Sequence, residues 1–289
     1  MDNRVKILVA CHKPSPIPQN DMLMPIHVGS KCSQFVLDMQ RDDEGENISE
    51  KNYCYCELTA LYWAWKNLKD VDVIGFCHYR RYFDFHKQCI RLLPDTTFPV
   101  LSIEELDFTV DKKTVNDVLK GEIVVPRALM WNCTLEQHYC MGHISDDYKL
   151  LKGFFPNSPR GHYKKAFDEI MVKGYKFRPY NMMVMRWSDF DLYCRWLFGL
   201  LFEIEQKTDI SHYSVYQQRI YGFMAERLLN VWLRAERKVL LERPVIFLDE
   251  NCKQRFPHQY APRKTMRLLR GQLQNAMVNR FYKMTLDEQ

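Results

Sequence analysis

Short apolar runs separated by helical stretches constrain this chain more than any other feature. Val5 to Ala10, Val71 to Cys77 and Glu122 to Pro126 are each brief, apolar and rich in β-branched residues, the pattern of strands buried in a sheet. Between the first two, the polar run Gln40 to Asn52 feeds a helix whose apolar positions Cys54, Leu58, Leu61, Trp65 and Leu68 fall on one face. Strands reached through helices favour an α/β fold.

The rest of the chain keeps the alternation. Prolines in "CHKPSPIP" forbid continuation of the first strand. A helical region covers about Leu135 to Phe155, and Tyr180 to Met185 reads as a strand running into a helix from Ser188. A long helix covers about Val215 to Arg237, and "VLLERPVIFLD" supplies a late strand. From Arg263 to Lys283, Met266, Leu269, Leu273, Met277 and Phe281 recur at helical spacing. With no internal repeat or long linker, the expectation is one domain over 1–250 and a basic amphipathic extension over 251–289.

Composition excludes several classes. The longest strongly apolar run, Trp196 to Phe202, falls far short of the roughly 20 residues that span a bilayer. The opening "MDNRVKILVACHKP" reads as a core strand, its apolar stretch being too short for a secretory leader and lacking a small-residue cleavage site. Ten cysteines scattered through core-like segments, with no C-x-x-C pair, read as reduced thiols of a cytoplasmic protein and hold no metal. Net charge is +5, but residues 251–289 hold eight bases and two acids, leaving the remainder at −1. Such local basicity suits a surface contact and not a nucleic-acid partner. No P-loop, dinucleotide-binding or nucleophile-elbow motif occurs.

The stretch "VIGFCHYRRYFDF", Val73 to Phe85, carries the chemistry. Ligands bind at the carboxyl ends of strands in open α/β sheets, which is where His78, Arg80 and Arg81 would stand. Adjacent guanidinium forks match a diphosphate and never lose their charge. An Arg81–carboxylate pair holding the sheet edge is the structural alternative. Glu57, a carboxylate inside an apolar stripe, calls for a cationic partner, with Arg80 or Arg81 as candidates. Arg219, Gly222, Glu226 and Asn230 share a face of the later helix. A mid-helix glycine marks close approach of a sugar or of a packed helix.

The motifs "KILVACHKP", "MPIHVG", "DDEGENISEKNYCYCELTALYWAWKN", "GFCHYRRYF", "YNMMVM", "YCRWLFGLLFEIE" and "YQQRIYGFMAERLLNVWL" occur in order over roughly residues 5 to 235. On these the chain resembles a bacterial family of capsule, O-antigen and exopolysaccharide gene clusters, described as a domain of unknown function and regarded as glycosyltransferases. The resemblance implies a GT-A-like nucleotide-sugar-binding mixed sheet flanked by helices. It implies a uridine-diphosphate sugar donor, with galactose in pyranose or furanose form as the expected sugar, and a growing glycan or lipid-linked glycan as acceptor.

Residue by residue, it suggests His12, Lys13, His78, Arg80, Arg81 and Arg219 for donor and diphosphate binding. Asn181, Tyr79, Gly222 and Asn47 would meet the sugar or acceptor; Asn181 matches an asparagine in a strand of retaining lipopolysaccharide galactosyltransferases. Glu226 is the first candidate for the general base, with Asp146 and Asp189 competing. Many GT-A enzymes hold a metal with Asp-x-Asp, but here "DVD", Asp70 to Asp72, precedes its strand. "DFD", Asp189 to Asp191, follows Ser188 in what reads as a capped helix start. The expectation is therefore no cofactor and no metal, the diphosphate being neutralised by arginines. Two other readings stand beside this one: a phosphoryl or nucleotidyl transferase, and a non-catalytic glycan-binding protein stacking sugars on Tyr79, Tyr82 and Phe83. The basic helix over 263–283 suits peripheral contact with an anionic membrane, at the inner face of the plasma membrane.

Overall fold

In a computed structural model, residues 4–86, 100–101, 103, 106–156 and 161–248 are described. The extension over 251–289, its amphipathic helix and its membrane contact lie outside the described residues.

The three expected apolar runs are strands. β1 (Val5–Cys11) lies near the centre, parallel to β2 (Leu23–His27) on one side; short β3 (Gln40–Arg41) lies beyond β2. The polar run then leads into α1 (Asn52–Tyr55), α2 (Leu58–Asn67) and β4 (Val73–His78), which is parallel to β1 on its other side. Next come β5 (Arg81–Phe83), β6 (Val100–Leu101), α3 (Lys112–Leu119), β7 (Ile123–Pro126) and β8 (Leu129–Met130). Helices α4 (Leu135–Gly142), α5 (Ser145–Gly153) and α6 (Gly161–Phe167) follow, then β9 (Lys176–Phe177) and β10 (Met183–Arg186). The long helices α7 (Trp187–Glu205) and α8 (Ile220–Ala235) precede β11 (Leu240–Arg243) and β12 (Val245–Leu248).

The main sheet runs β11-β7-β10-β4-β1-β2-β3 and is mixed: β10 is antiparallel to both neighbours. The fold is α/β with a central mixed sheet flanked by helices, consistent with a GT-A-like architecture.

Both faces of the sheet are buried, which is why its strands read as continuous apolar runs. Leu8, Ala10, Ile74, Phe76, Met183 and Met185 join one core with the buried sides of α2, α7 and α8. Ile7, Val9, Val73, Cys77 and Val184 join the other, with Phe83, Val115 and Val245. Gly75 is required where β4 passes between β1 and β10. A Cβ there would sit 2.9 Å from Ile7 Cγ1 and 3.0 Å from Val184 Cγ2.

Several local expectations need correction. The stripe from Cys54 to Leu68 is not one helix: α1 and α2 are separated at Cys56, whose φ of 52° lies in the left-handed region. Glu57 consequently takes the position preceding α2 instead of lying in the stripe. The strand expected from Tyr180 begins at Met183, because Tyr180 and Asn181 have φ of 77° and 53° and form a left-handed turn. Ser188 does not cap α7, which starts at Trp187 with no side-chain cap; Asp191 instead accepts from Trp65 Nε1 at 2.8 Å and Arg195 at 3.0 Å. The late strand is two strands divided at Pro244, which has no N–H for a sheet ladder.

Strand direction fixes what lies at each edge. β1 and β4 end together at Cys11 and His78. β10 runs the other way, so the Tyr180–Asn181 turn precedes it at that same edge, while Arg186 pairs with Val73 at the opposite one. Among the described residues no helix is long and apolar enough to cross a membrane.

Candidate active site

At the carboxyl edge of β1 and β4 lies a cavity of about 1130 Å³. Of the residues proposed from sequence, His12, His78, Tyr79, Arg81, Arg219, Gly222 and Glu226 line it together. They come from four places: the ends of β1 and β4, the start of β5, and α8 with the turn before it.

The Tyr180–Asn181 turn organises the cavity floor. Non-glycine residues in the left-handed region cost on the order of 1–3 kcal/mol each and persist where surrounding bonds over-determine them. Here the Tyr180 amide donates to Glu226 Oε1 at 2.8 Å, and the Tyr180 carbonyl lies 2.7 Å from His78 Nε2. Asn181 Nδ2 donates to Glu57 Oε1 at 2.8 Å. One turn thereby fixes two carboxylates, Glu57 and Glu226, that both line the cavity. The second strained position, Cys56, has its Sγ 3.2 Å from Arg219 Nε, which donates to it. Gly222 exists for this approach: a Cβ would lie 3.1 Å from Cys56 Sγ. Between the two readings of this glycine, the packed helix is the one with a visible partner.

Electrostatics separate the groups. Burial pushes the Glu226 carboxyl above its ordinary range, opposed by Arg227 and by the Tyr180 amide. Its Oε2 pairs with Arg227 Nη1 at 3.0 Å. Arg227, itself buried, reaches His138 Nδ1 with Nη2 at 3.3 Å. His138 is pushed down to about 4 by burial and by Arg227, which leaves a neutral ring able to accept that bond. His78 is also lowered by burial, opposed by Glu57 and the Tyr180 carbonyl. His12 is lowered by burial and by Lys13, Arg80 and Arg219.

Arg81 lies on β5, after a tight reversal pairing His78 with Arg81. Its guanidinium stacks 4.7 Å over Tyr180 and 5.3 Å over Phe247, and its Nε is buried without a hydrogen-bond partner among the described residues. No ion pair joins Arg81 or Arg80 to Glu57 among the described residues; in place of the expected arginine, Asn181 donates to that carboxylate.

The remaining candidates lie elsewhere. Lys13 and Arg80 flank Tyr79 from outside the lining, at 5.9 and 5.2 Å from its ring. Asn47 shapes its own loop, donating to the Asp43 and Gly45 carbonyls. Asn181 is buried behind the lining and holds Glu57. Asp146 is on the surface, paired with Lys149 at 2.9 Å. Asp189 is buried at the opposite edge between Arg186 and Lys238, at 3.0 and 2.7 Å. Among the described residues no group of three or more His, Cys, Asp or Glu side chains is arranged to hold a metal.

Sequence reasoning did not pick Glu57, Cys56, Trp131, His138, His143, Phe223 or Arg227 as lining residues. Glu57 carried a signal, a charge at an apolar helical position. For His138 and Arg227, 89 residues apart, the chain offers none.

A family described as a domain of unknown function, DUF4422, matches residues 6–238. No curated protein matches the chain. Among solved structures, the chain is similar to the apo structure of WbbM, a bifunctional glycosyltransferase, at 28% identity with a TM-score of 0.73. The likeness covers 86% of this chain and 46% of that one, so this chain spans about half the length of the protein it matches.

Proposed function

The chain belongs to the DUF4422 family, and from that premise we propose that it is a glycosyltransferase using a nucleotide-sugar donor and a glycan acceptor. The observation that carries this reading is one cavity holding both kinds of group the reaction needs. Arg81 and Arg219 supply cationic donors; Glu57 and Glu226 supply carboxylates fixed by one backbone turn.

In the reaction, an acceptor hydroxyl oxygen bonds to the anomeric carbon of the donor while the bond from that carbon to the diphosphate oxygen breaks. The nucleoside diphosphate leaves with the electron pair, and its growing negative charge is met by Arg81 and Arg219. The hydroxyl proton passes to Glu226, whose raised pKa makes it a stronger base than an ordinary carboxylate. His12 and Tyr79 complete the donor side. The donor class is a uridine-diphosphate hexose, with galactose in either ring form as the sugar, and the product a capsular, O-antigen or exopolysaccharide glycan. The work would be done at the inner face of the membrane, held there by the basic 263–283 segment. No metal is assigned, since two arginines can carry the charge.

Purified protein challenged with a panel of nucleotide sugars tests this directly. A uridine-diphosphate hexose should raise the melting temperature and be turned over with or without a chelator. Arg81→Ala should lose about 100-fold in turnover, the size of one lost charge-stabilising donor. Silence towards every donor overturns the reading; turnover abolished by chelator favours phosphoryl or nucleotidyl transfer.

A further inference from the structure

Part of the cavity has a different character from its cationic side. Ten large apolar side chains are exposed among the described residues, and four of them, Tyr53, Met141, Val215 and Tyr216, line this one cavity. Val215 is 84% exposed and Tyr216 54%. Gathered apolar exposure of this kind marks a binding surface, whereas scattered exposure needs no explanation.

The aromatic rings here form an ordered stack. His143 lies 3.9 Å from Phe223 at 25° and 6.0 Å from Tyr216 at 20°, and Tyr216 is 5.1 Å from Phe223. Burial, with help from Arg227, pushes His143 down to about 4, so the stack is uncharged at neutral pH. Gln218, Arg219 and Glu226 bring polar groups to the same lining, with the Arg219 guanidinium 5.6 Å from the Phe223 ring.

A neutral stack with exposed ring and methyl surface, beside these polar groups, suits one kind of ligand. A sugar ring offers an apolar C–H face for the aromatic surface and hydroxyls that donate to Glu226 or accept from Arg219 and Gln218. An acyl chain would desolvate those polar groups without pairing them, and an anionic sugar would compete with the diphosphate for Arg219 and meet the Glu226 carboxylate.

We propose that the His143–Phe223–Tyr216 stack, flanked by Met141 and Val215, is the acceptor subsite and binds a neutral terminal sugar ring of the glycan. This rests on the glycosyltransferase reading and divides its cavity: the donor diphosphate takes the Arg81 side, the acceptor ring the aromatic side. Phe223 and Glu226 are three residues apart on α8, hence neighbours on its surface. The stack therefore holds the acceptor within about one helical turn, ~5.4 Å along the axis, of the carboxylate proposed as base.

Two titrations of the full chain test it: UDP, and an array of oligosaccharides ending in neutral hexoses or in uronic acids. Wild type should bind neutral ends in preference to acidic ones. Tyr216→Ala, a change at an exposed position, should lower the ratio of glycan affinity to UDP affinity at least about tenfold, with Tyr216→Phe restoring it. Binding of UDP with no neutral glycan bound, or an unchanged ratio in Tyr216→Ala, overturns the subsite and leaves the donor reading standing. Tyr216-dependent glycan binding without any response to UDP or UDP-sugars supports the platform and overturns the transferase reading instead.

Discussion

The two ends of β10 show what separates a working edge of this sheet from a structural one. Beyond its last residue, Asp189 is 2% exposed and held by Arg186 and Lys238. At the same edge, Arg4 pairs with Asp70 and Asp72 at 3.0 and 3.5 Å. Charges there are closed into pairs. Before its first residue, Tyr180 and Asn181 have left-handed backbone, Asn181 Oδ1 and Arg81 Nε are buried without hydrogen-bond partners among the described residues, and burial pushes Glu226 above its ordinary range. The two edges therefore differ in charge pairing and not in backbone strain, since Asp70 is itself left-handed with φ of 57°, and one strand sorts candidates that look alike in sequence.

The largest effect expected from this contrast falls on Glu226. Glu226→Gln keeps the shape and an acceptor for the Tyr180 amide but cannot take a proton, so turnover should drop about 100-fold or more with little change in melting temperature. Steady-state turnover beside a thermal melt checks both halves. A loss confined to stability would return Glu226 to a structural pair with Arg227.

Asp189 should behave in the opposite way. Asp189→Ala leaves Arg186 and Lys238 facing an uncompensated buried site and should cost about 3 kcal/mol of stability, with turnover per folded molecule intact. Denaturant unfolding measures the first and activity at low temperature the second. Lost turnover in a stable variant would erase the distinction between the edges.

Acid should loosen the cavity side before the paired edge. His138 and His143 are held neutral down to about 4. Their contribution to stability is complete above the ordinary histidine value of about 6.5 and is lost as pH falls towards about 4, since protonation puts a cation beside Arg227. Melting temperature against pH should fall through that window, and His138→Asn should flatten the slope. An unchanged slope in that variant would mean that other groups set the acid limb.

The smallest effect concerns Gly222. Gly222→Ala removes flexibility from a helix but presses a methyl to 3.1 Å from Cys56 Sγ, so a gain of up to about 1 kcal/mol in helix propensity should be cancelled or reversed. A stabilised variant would show that α8 is free to shift from Cys56.

Hydrophobic pattern alone settles much of the fold. The runs at Val5, Val73 and Ile123 are apolar at successive positions because the sheet is covered on both faces, and that is visible without coordinates. The same reasoning placed His78 and Arg81 at a ligand-binding edge, where both line the cavity. Turn geometry is less legible: "YN" before β10 reads as strand, because long-range bonds to Glu226, His78 and Glu57 override an ordinary extended preference.

What the chain determines by itself is local: which segments are strands, which face of a helix is apolar, which residues have the chemistry to meet an anion. Tertiary structure alone decided which of these meet. An apolar strand pattern reads the same in both directions, so nothing local says that β10 runs antiparallel to β4. That direction delivers Tyr180 to the cavity and Asp189 away from it. Glu57 and Asn181 are 124 residues apart, and His138 and Arg227 are 89. Periodicity records the burial of each side chain but not its partner, because many distant residues could bury the same surface, and only packing selects one.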